Sequence, residues 1–372
     1  MRGDGLEAVL PRVAEIVADV RARGDAALLD WTERLDGERP ELRVQAAAIA
    51  AARTGKETLA AVERLARAIE QFCAPQRPPD VRVEAVPGVI STRRWLPLTS
   101  VGVYVPGGRA PLISSLVMTV VPARVAGVER IVVATPKPPE ALLAAAHALG
   151  IDEVYAVGGA QAIAALAYGT ETVPRVDKIV GPGNRWVTAA KVLVSSTVAI
   201  DLPAGPSEIV VIADETAPRD RVLADLRAQA EHGPDSPAIL LATDRSLVDA
   251  ASDVAESSYV ATVEEALERA EEYAPEHLEL WTRDAEELAG RVRNAGTVFV
   301  RTSAVVGDYA AGATHVLPTG GLARGAGGIG LETFLKPVQT VEARDLVAAR
   351  EIGLPLARAE GLHLHAAALE LA

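Results

Sequence analysis

The chain of 372 residues contains one cysteine and two methionines, and aromatic residues make up only 3% of it. A lone Cys73 excludes an intramolecular disulfide and any zinc site built from several thiolates. So few rings leave the packing of the interior to Ala, Val, Leu and Ile. Basic residues are outnumbered: 37 Lys and Arg face 50 Asp and Glu, a net charge of −13. With no block of Lys or Arg, that balance argues against a nucleic-acid-binding surface. No stretch approaches the ~18 uninterrupted apolar residues of a membrane span. The opening Met-Arg-Gly-Asp-Gly-Leu has no long apolar core, so no signal peptide is expected and the protein is expected in the cytoplasm.

Hydrophobic residues, at 49%, and charged residues, at 23%, are in the proportions of a globular protein with a substantial core. The length suggests two or three domains. Residues 6 to about 73 carry apolar positions at three- and four-residue spacing, as in Leu6 to Val20, and are expected to be helical until Pro75, Pro78 and Pro79. Strands are expected at Val81–Val86 and Val101–Val105. From there helix and strand alternate. A first series runs through the β-branched stretch at Arg130–Thr135, Glu153–Val157 and Lys178–Val180; a second runs through Glu208–Ala213, Ala238–Thr243, Leu278–Trp281 and Thr297–Val300. This alternation is the mark of βαβ units around parallel sheets. The expected class is therefore α/β, with two tandem Rossmann-like domains, an N-terminal helical region and a helical tail from about residue 342. The expected division is 1–103 with 208–328, an inserted 104–207, and 329–372.

Gly325-Ala-Gly-Gly-Ile-Gly330 matches G-x-G-x-x-G, but it follows Pro318-Thr-Gly-Gly rather than a strand and is read as a loop. Three other glycine-bearing loops matter more: Tyr104 to Gly108, Gly158-Gly-Ala-Gln161 and Gly181-Pro-Gly-Asn184. Each follows a strand of the first series, so all three are expected at the carboxyl edge of one parallel sheet, where such sheets bind nucleotides. Asn184 is placed to cap the next helix.

Four of the six histidines lie in or near polar clusters: His232 in Gln229–Ser236, His277 after Glu276, His315 after Asp308, and His365 after Glu360. Histidine titrates nearest neutrality and is the commonest metal ligand. Gln229 and His232, three apart, share a helix face. Two oxygens and two imidazoles from Gln229, His232, Asp308 and His365 would suit zinc. The plain alternatives are a polar helix end, a solvated Glu-His loop pair, and packing or surface roles for His147 and His363.

The sequence resembles the histidinol dehydrogenases, enzymes of the last two steps of histidine biosynthesis. The resemblance runs from Ala22-Arg-Gly-Asp-Ala to the C-terminus. It is densest in Val101–Gly108, Val157–Ala167, Val176–Asn184, Pro203–Glu208, Gln229–Ser236, Pro275–Leu278, Gly307–Gly312 and His315–Thr319. It implies oxidation of the alcohol L-histidinol, through the aldehyde, to L-histidine with two NAD⁺. It also implies one Zn²⁺ per subunit on Gln229, His232, Asp308 and His365. Tyr104, Gln161 and Asn184 would line the NAD site. Ser207, His315 and Glu360 would contact substrate, together with His277 and the metal ligands. A homodimer with shared active sites is implied, His365 serving the partner. Alcohol oxidation wants a base near neutrality, a role for His277; Glu276 would activate water on the aldehyde. The chain departs from its relatives in an expected shorter N-terminus, in a stretch missing between Ala255 and Val263, and in a glycine-rich 320–330. His363 competes with His365 for the tail position. The alternatives are a sibling dehydrogenase of another small polar alcohol and a catalytically silent paralogue.

Overall fold

A computed structural model describes residues 6–107, 112–233 and 235–371. Gly108 of the first glycine loop, Pro234 of the Gln229–Ser236 cluster and the first five residues lie outside the described residues. Contacts group the chain into two units, residues up to Gln76 with Leu98–Phe334, and Arg77–Pro97 with the segment from Leu335 onward.

The chain opens with helices α1 (Leu10–Arg23), α2 (Asp25–Asp36), α3 (Ala46–Ala51) and α4 (Lys56–Cys73). The hairpin β1 (Val81–Val86) and β2 (Val89–Pro97) belongs to the second unit. The first βα series follows: β3 (Ser100–Tyr104), α5 (Ile113–Ala126), β4 (Arg130–Ala134), α6 (Glu140–Ala148), β5 (Val154–Tyr155), α7 (Gly159–Tyr168), β6 (Lys178–Val180), α8 (Arg185–Val194) and β7 (Ala199–Ile200). Its five strands pair in parallel in the order β5-β4-β3-β6-β7. Helices α1, α2, α7 and α8 pack together on one face, and α3 to α6 pack with one another. α7, Gly-Ala-Gln-Ala-Ile-Ala-Ala-Leu-Ala-Tyr, is buried from Ala160 to Ala167, as a helix apolar on all sides must be. With rings scarce, closeness replaces bulk: a Cβ on Gly102 of β3 would stand 3.1 Å from Leu166 of α7.

The second series is β8 (Ile209–Ala213), α9 (Arg219–Ala230), β9 (Ala238–Ala242), α10 (Arg245–Ala251), β10 (Glu256–Tyr259), α11 (Val263–Tyr273), β11 (His277–Trp281), α12 (Ala285–Ala289), β12 (Thr297–Val300) and α13 (Ala304–Tyr309). Its strands are parallel in the order β10-β9-β8-β11-β12. Alternation sorts β8 and β11 between two cores. Ile209, Val211, Ala213 and Trp281 face α9, α10 and α13, whereas Val210, Ile212, Leu278 and Leu280 face α11 and α12. The α/β class with two parallel sheets is as expected.

The helical tail is as expected, and before it runs a strand that the sequence reading did not include, β13 (Leu335–Ala343), antiparallel to β2 in a three-stranded sheet β1-β2-β13. Helices α14 (Val347–Ala359) and α15 (His363–Leu371) follow. β13 is exposed along most of its length, so it lacks the apolar alternation that marks a half-buried strand. α10 stops at Ala251, and β10, a strand that the sequence reading did not include, takes the sheet edge. No described helix is long and apolar enough to cross a membrane.

Candidate active site

In the first unit, residues 201–208 connect the carboxyl end of β7 to the amino end of β8. The carboxyl edge of the first sheet and the amino edge of the second are therefore neighbours along the chain. The candidate residues gather at these edges.

At the first edge, the three glycine loops follow β3, β5 and β6 as expected. The Tyr104 hydroxyl accepts a hydrogen bond from Gly159 N–H at 3.1 Å, and burial pushes that phenol up to about 12. Gln161, on the first turn of α7, is buried, and its Oε1 has no hydrogen-bond partner among the described residues. Buried acceptors are ordinarily met by a donor, and a bound ligand can supply one. A Cβ on Gly158 would collide with the Pro136 ring, so the loop is glycine there because that ring leaves no room for a side chain. Gly181 has φ +116° and lies on the Tyr104 carbonyl. Asn184 caps α8, its Oδ1 accepting from Trp186 N at 3.0 Å and Val187 N at 3.2 Å.

At the second edge, Glu276 and His277 stand at the start of β11, both buried. Glu208 N–H donates to Glu276 Oε2 at 3.0 Å, and the Ser207 hydroxyl donates to the same carboxyl. Gln229, in the last turn of α9, donates its amide to Ser207 Oγ at 3.4 Å. Burial pushes Glu276 up to about 8, aided by the charges of Glu208 and Asp308, against the two hydrogen bonds. Burial also drives His277 down to about 3, with His315 and His232 adding to the effect. The His277 ring meets the Phe299 ring edge-on at 5.6 Å.

α13 delivers Asp308, whose Oδ1 is 3.6 Å from His315 Nδ1. Burial raises Asp308 to about 6, against the opposing influence of the His232 imidazole. Burial also lowers His315 to about 4. His315 Nε2 lies 3.0 Å from Ser115 Oγ on the first turn of α5, which ties the second edge to the first. His232 sits past the end of α9, exposed, its N–H bonded to the Gln229 carbonyl at 3.1 Å.

Structure thus brings together Ser207, Gln229, Glu276, His277, Asp308 and His315, with His232 close enough to act on three of them by charge. Glu360 ends α14 and His365 lies on α15, both exposed in the second unit, as is His363. Among the described residues no group of three or more His, Cys, Asp or Glu is arranged to hold a metal. The expected ligand set counts a carboxamide and a histidine of the other unit. Ser115 and Glu208 are contributors that sequence reasoning did not single out. Glu208 sits inside the quoted Pro203–Glu208 motif, whereas Ser115 gave no signal, since it is one polar residue in an apolar helix.

Comparison with known proteins gives one result. A family model described as "Histidinol dehydrogenase" matches residues 2–259 and 250–372. A histidinol dehydrogenase of Deinococcus radiodurans is 45% identical, covering 96% of this chain and 89% of its own length. One from Prochlorococcus marinus is 42% identical, covering 99% and 91%. A crystal structure of histidinol dehydrogenase from Elizabethkingia anophelis superposes with a TM-score of 0.89 at 36% identity, over 98% of this chain and 92% of that one.

Proposed function

The chain belongs to the histidinol dehydrogenase family of NAD-dependent oxidoreductases, and on that premise we propose that it oxidises L-histidinol through L-histidinal to L-histidine with two NAD⁺ and one zinc ion per subunit. The observation that carries this reading is the convergence of Ser207, Gln229, Glu276, His277, Asp308 and His315 beside the glycine loops of the first sheet.

The donor set fits zinc. Asp308 is a carboxylate in a largely dry place with little positive charge near it, which is the electrostatic need a cation meets. Gln229 and His232 would hold the ion with it, and His365 of a partner's tail would complete the set. The orphaned Gln161 Oε1 and the close-packed Gly158 fit a nucleotide lying along Tyr104, Gln161 and Asn184. When bound, zinc supplies a Lewis-acid anchor for substrate nitrogen atoms and NAD⁺ supplies the hydride acceptor.

The protein's own groups do the proton work. Burial holds His277 at about 3, below the near-neutral range expected of the base, so the ring is neutral at pH 7 and a ring nitrogen is open to take the carbinol proton as hydride leaves. The aldehyde has no hydroxyl proton until water adds to it. Glu276 activates that water once ionised, and His277 then serves the hydrate as it served the alcohol. Ser207, already bonded to both Gln229 and Glu276, and His315, with Glu360 of a partner's tail, orient the substrate's polar ends; such orientation is worth several kcal/mol of barrier. On this reading the enzyme works in the cytoplasm, as a homodimer with shared active sites. The test is to give purified zinc-loaded protein L-histidinol and NAD⁺ and count NADH. Two per substrate molecule is expected; one or none overturns the reading.

A further inference from the structure

Behind these residues lies a second pair of carboxyl groups that the chemistry above does not use. Asp225 on α9 and Glu279 on β11 are both buried and hydrogen-bond to each other. Around them, Ser303 Oγ donates to Asp225 Oδ1 at 2.6 Å, Ala304 N–H to Glu279 Oε1 at 2.6 Å, and the Trp281 indole N–H to Glu279 Oε2 at 2.8 Å. Asp225 Oδ2 is buried with no N–H or hydroxyl donor of the described residues within reach. Two bare carboxylates would repel there, so their contact needs a shared proton. Burial raises both acids, Glu279 to about 8.

The pair joins the three elements that deliver the site. Gln229 is one helical turn past Asp225 on α9. His277 lies two residues before Glu279 on the same face of β11. Asp308 is one turn past Ala304 on α13, a helix of six residues whose first N–H is held by Glu279 and whose cap, Ser303, is held by Asp225.

We propose that Asp225 and Glu279 are positioning residues, a buried carboxyl clamp on Ser303 and Ala304 that fixes α9, β11 and α13 so that Gln229, Asp308 and His277 meet at one metal-and-substrate site. This rests on the function proposed above. Asp225→Ala removes the clamp. Asp225→Asn keeps it without the shared proton, because Oδ1 can still accept from Ser303 and Nδ2 can donate to Glu279. Zinc affinity is measured without substrate, by competition with a chelating dye, and KM is measured for each substrate. Asp225→Ala is expected to weaken zinc about tenfold, the scale of losing a group that orients a metal ligand. It should also raise KM for L-histidinol while leaving KM for NAD⁺ unchanged. Asp225→Asn should restore most of both. If Asp225→Ala fails to fold, Ser303→Ala carries the same test by removing one of the bonds. Wild-type zinc affinity in a folded Asp225→Ala protein, or equal damage from Asp225→Asn, overturns the clamp. A wild-type chain that binds zinc but makes no NADH from L-histidinol sinks the functional reading alone, the clamp still being judged on zinc affinity. One that binds no zinc sinks both.

Discussion

Glu276 shows how one side chain's surroundings set its chemistry. Held near 8 by burial, its carboxyl is mostly protonated at pH 7 and becomes a base as pH rises. The aldehyde step should therefore accelerate through about pH 8, and Glu276→Gln should abolish that limb and yield closer to one NADH per L-histidinol than two. Stopped-flow measurement of the two half-reactions checks this; equal loss of both contradicts the division of roles. Glu279 makes a prediction about stability. Its folded pKa of about 8 exceeds the ordinary 4.5, so the folded chain keeps a proton that the unfolded chain releases. That contribution is complete below about pH 4.5 and is lost as pH rises through about 8. Asp225 faces Glu279, and Arg221 acts on Asp225 from the same helix. In Glu279→Gln the fall in Tm between about pH 5 and 8 should be shallower; parallel curves for the two proteins would refute it. The acid–base residues themselves were legible in the sequence, because Glu276-His277 and Asp308 through His315 are short clusters. Glu279 was not, since in His-Leu-Glu-Leu-Trp it reads as the solvent side of an alternating strand, yet its face is closed by α9 and α13.

Among the elements, the loop after β6 is tied down on both sides of Gly181. Asp201 Oδ2 accepts from Gly181 N–H at 2.8 Å, Lys191 Nζ donates to the Gly181 carbonyl at 3.0 Å, and Lys191 and Asp201 form a buried ion pair. Both ends of one glycine residue are thereby fixed beside the expected cofactor. Lys191→Met leaves Asp201 uncompensated, which should cost about 3–5 kcal/mol of stability in denaturant titrations. It should raise KM for NAD⁺ more than KM for L-histidinol, and no change in either stability or KM would count against the assignment. Strands such as Ile209–Ala213 could be read from their unbroken apolar run. β13 and β10 could not: Leu-Lys-Pro-Val-Gln-Thr-Val-Glu-Ala and Glu-Ser-Ser-Tyr are too polar for a core-facing strand and are held by pairing with a neighbour rather than by burial.

For the whole molecule, the sequence showed two βα series but not their convergence. Glu276 meets Glu208 across 68 positions and Ser115 meets His315 across 200, and spacing along a chain carries no such distance. In the second unit, Leu364 and Leu371 are 86% and 88% exposed on α15, the helix that carries His365 and whose service to another copy is proposed above. Mixing inactive His277→Ala with inactive His365→Ala subunits, with exchange allowed, should restore part of the activity, because some dimers then carry one intact shared site. No recovery after confirmed exchange would rule out sharing. Residues 201–208 begin with the carboxylate that pins the loop beside the expected cofactor and end at the serine and backbone amide that hold Glu276. Eight residues thus separate the loop proposed to meet the oxidant from the carboxyl proposed as base. Lengthening this segment by one residue would alter the gap the departing hydride has to cross while leaving both sheets whole.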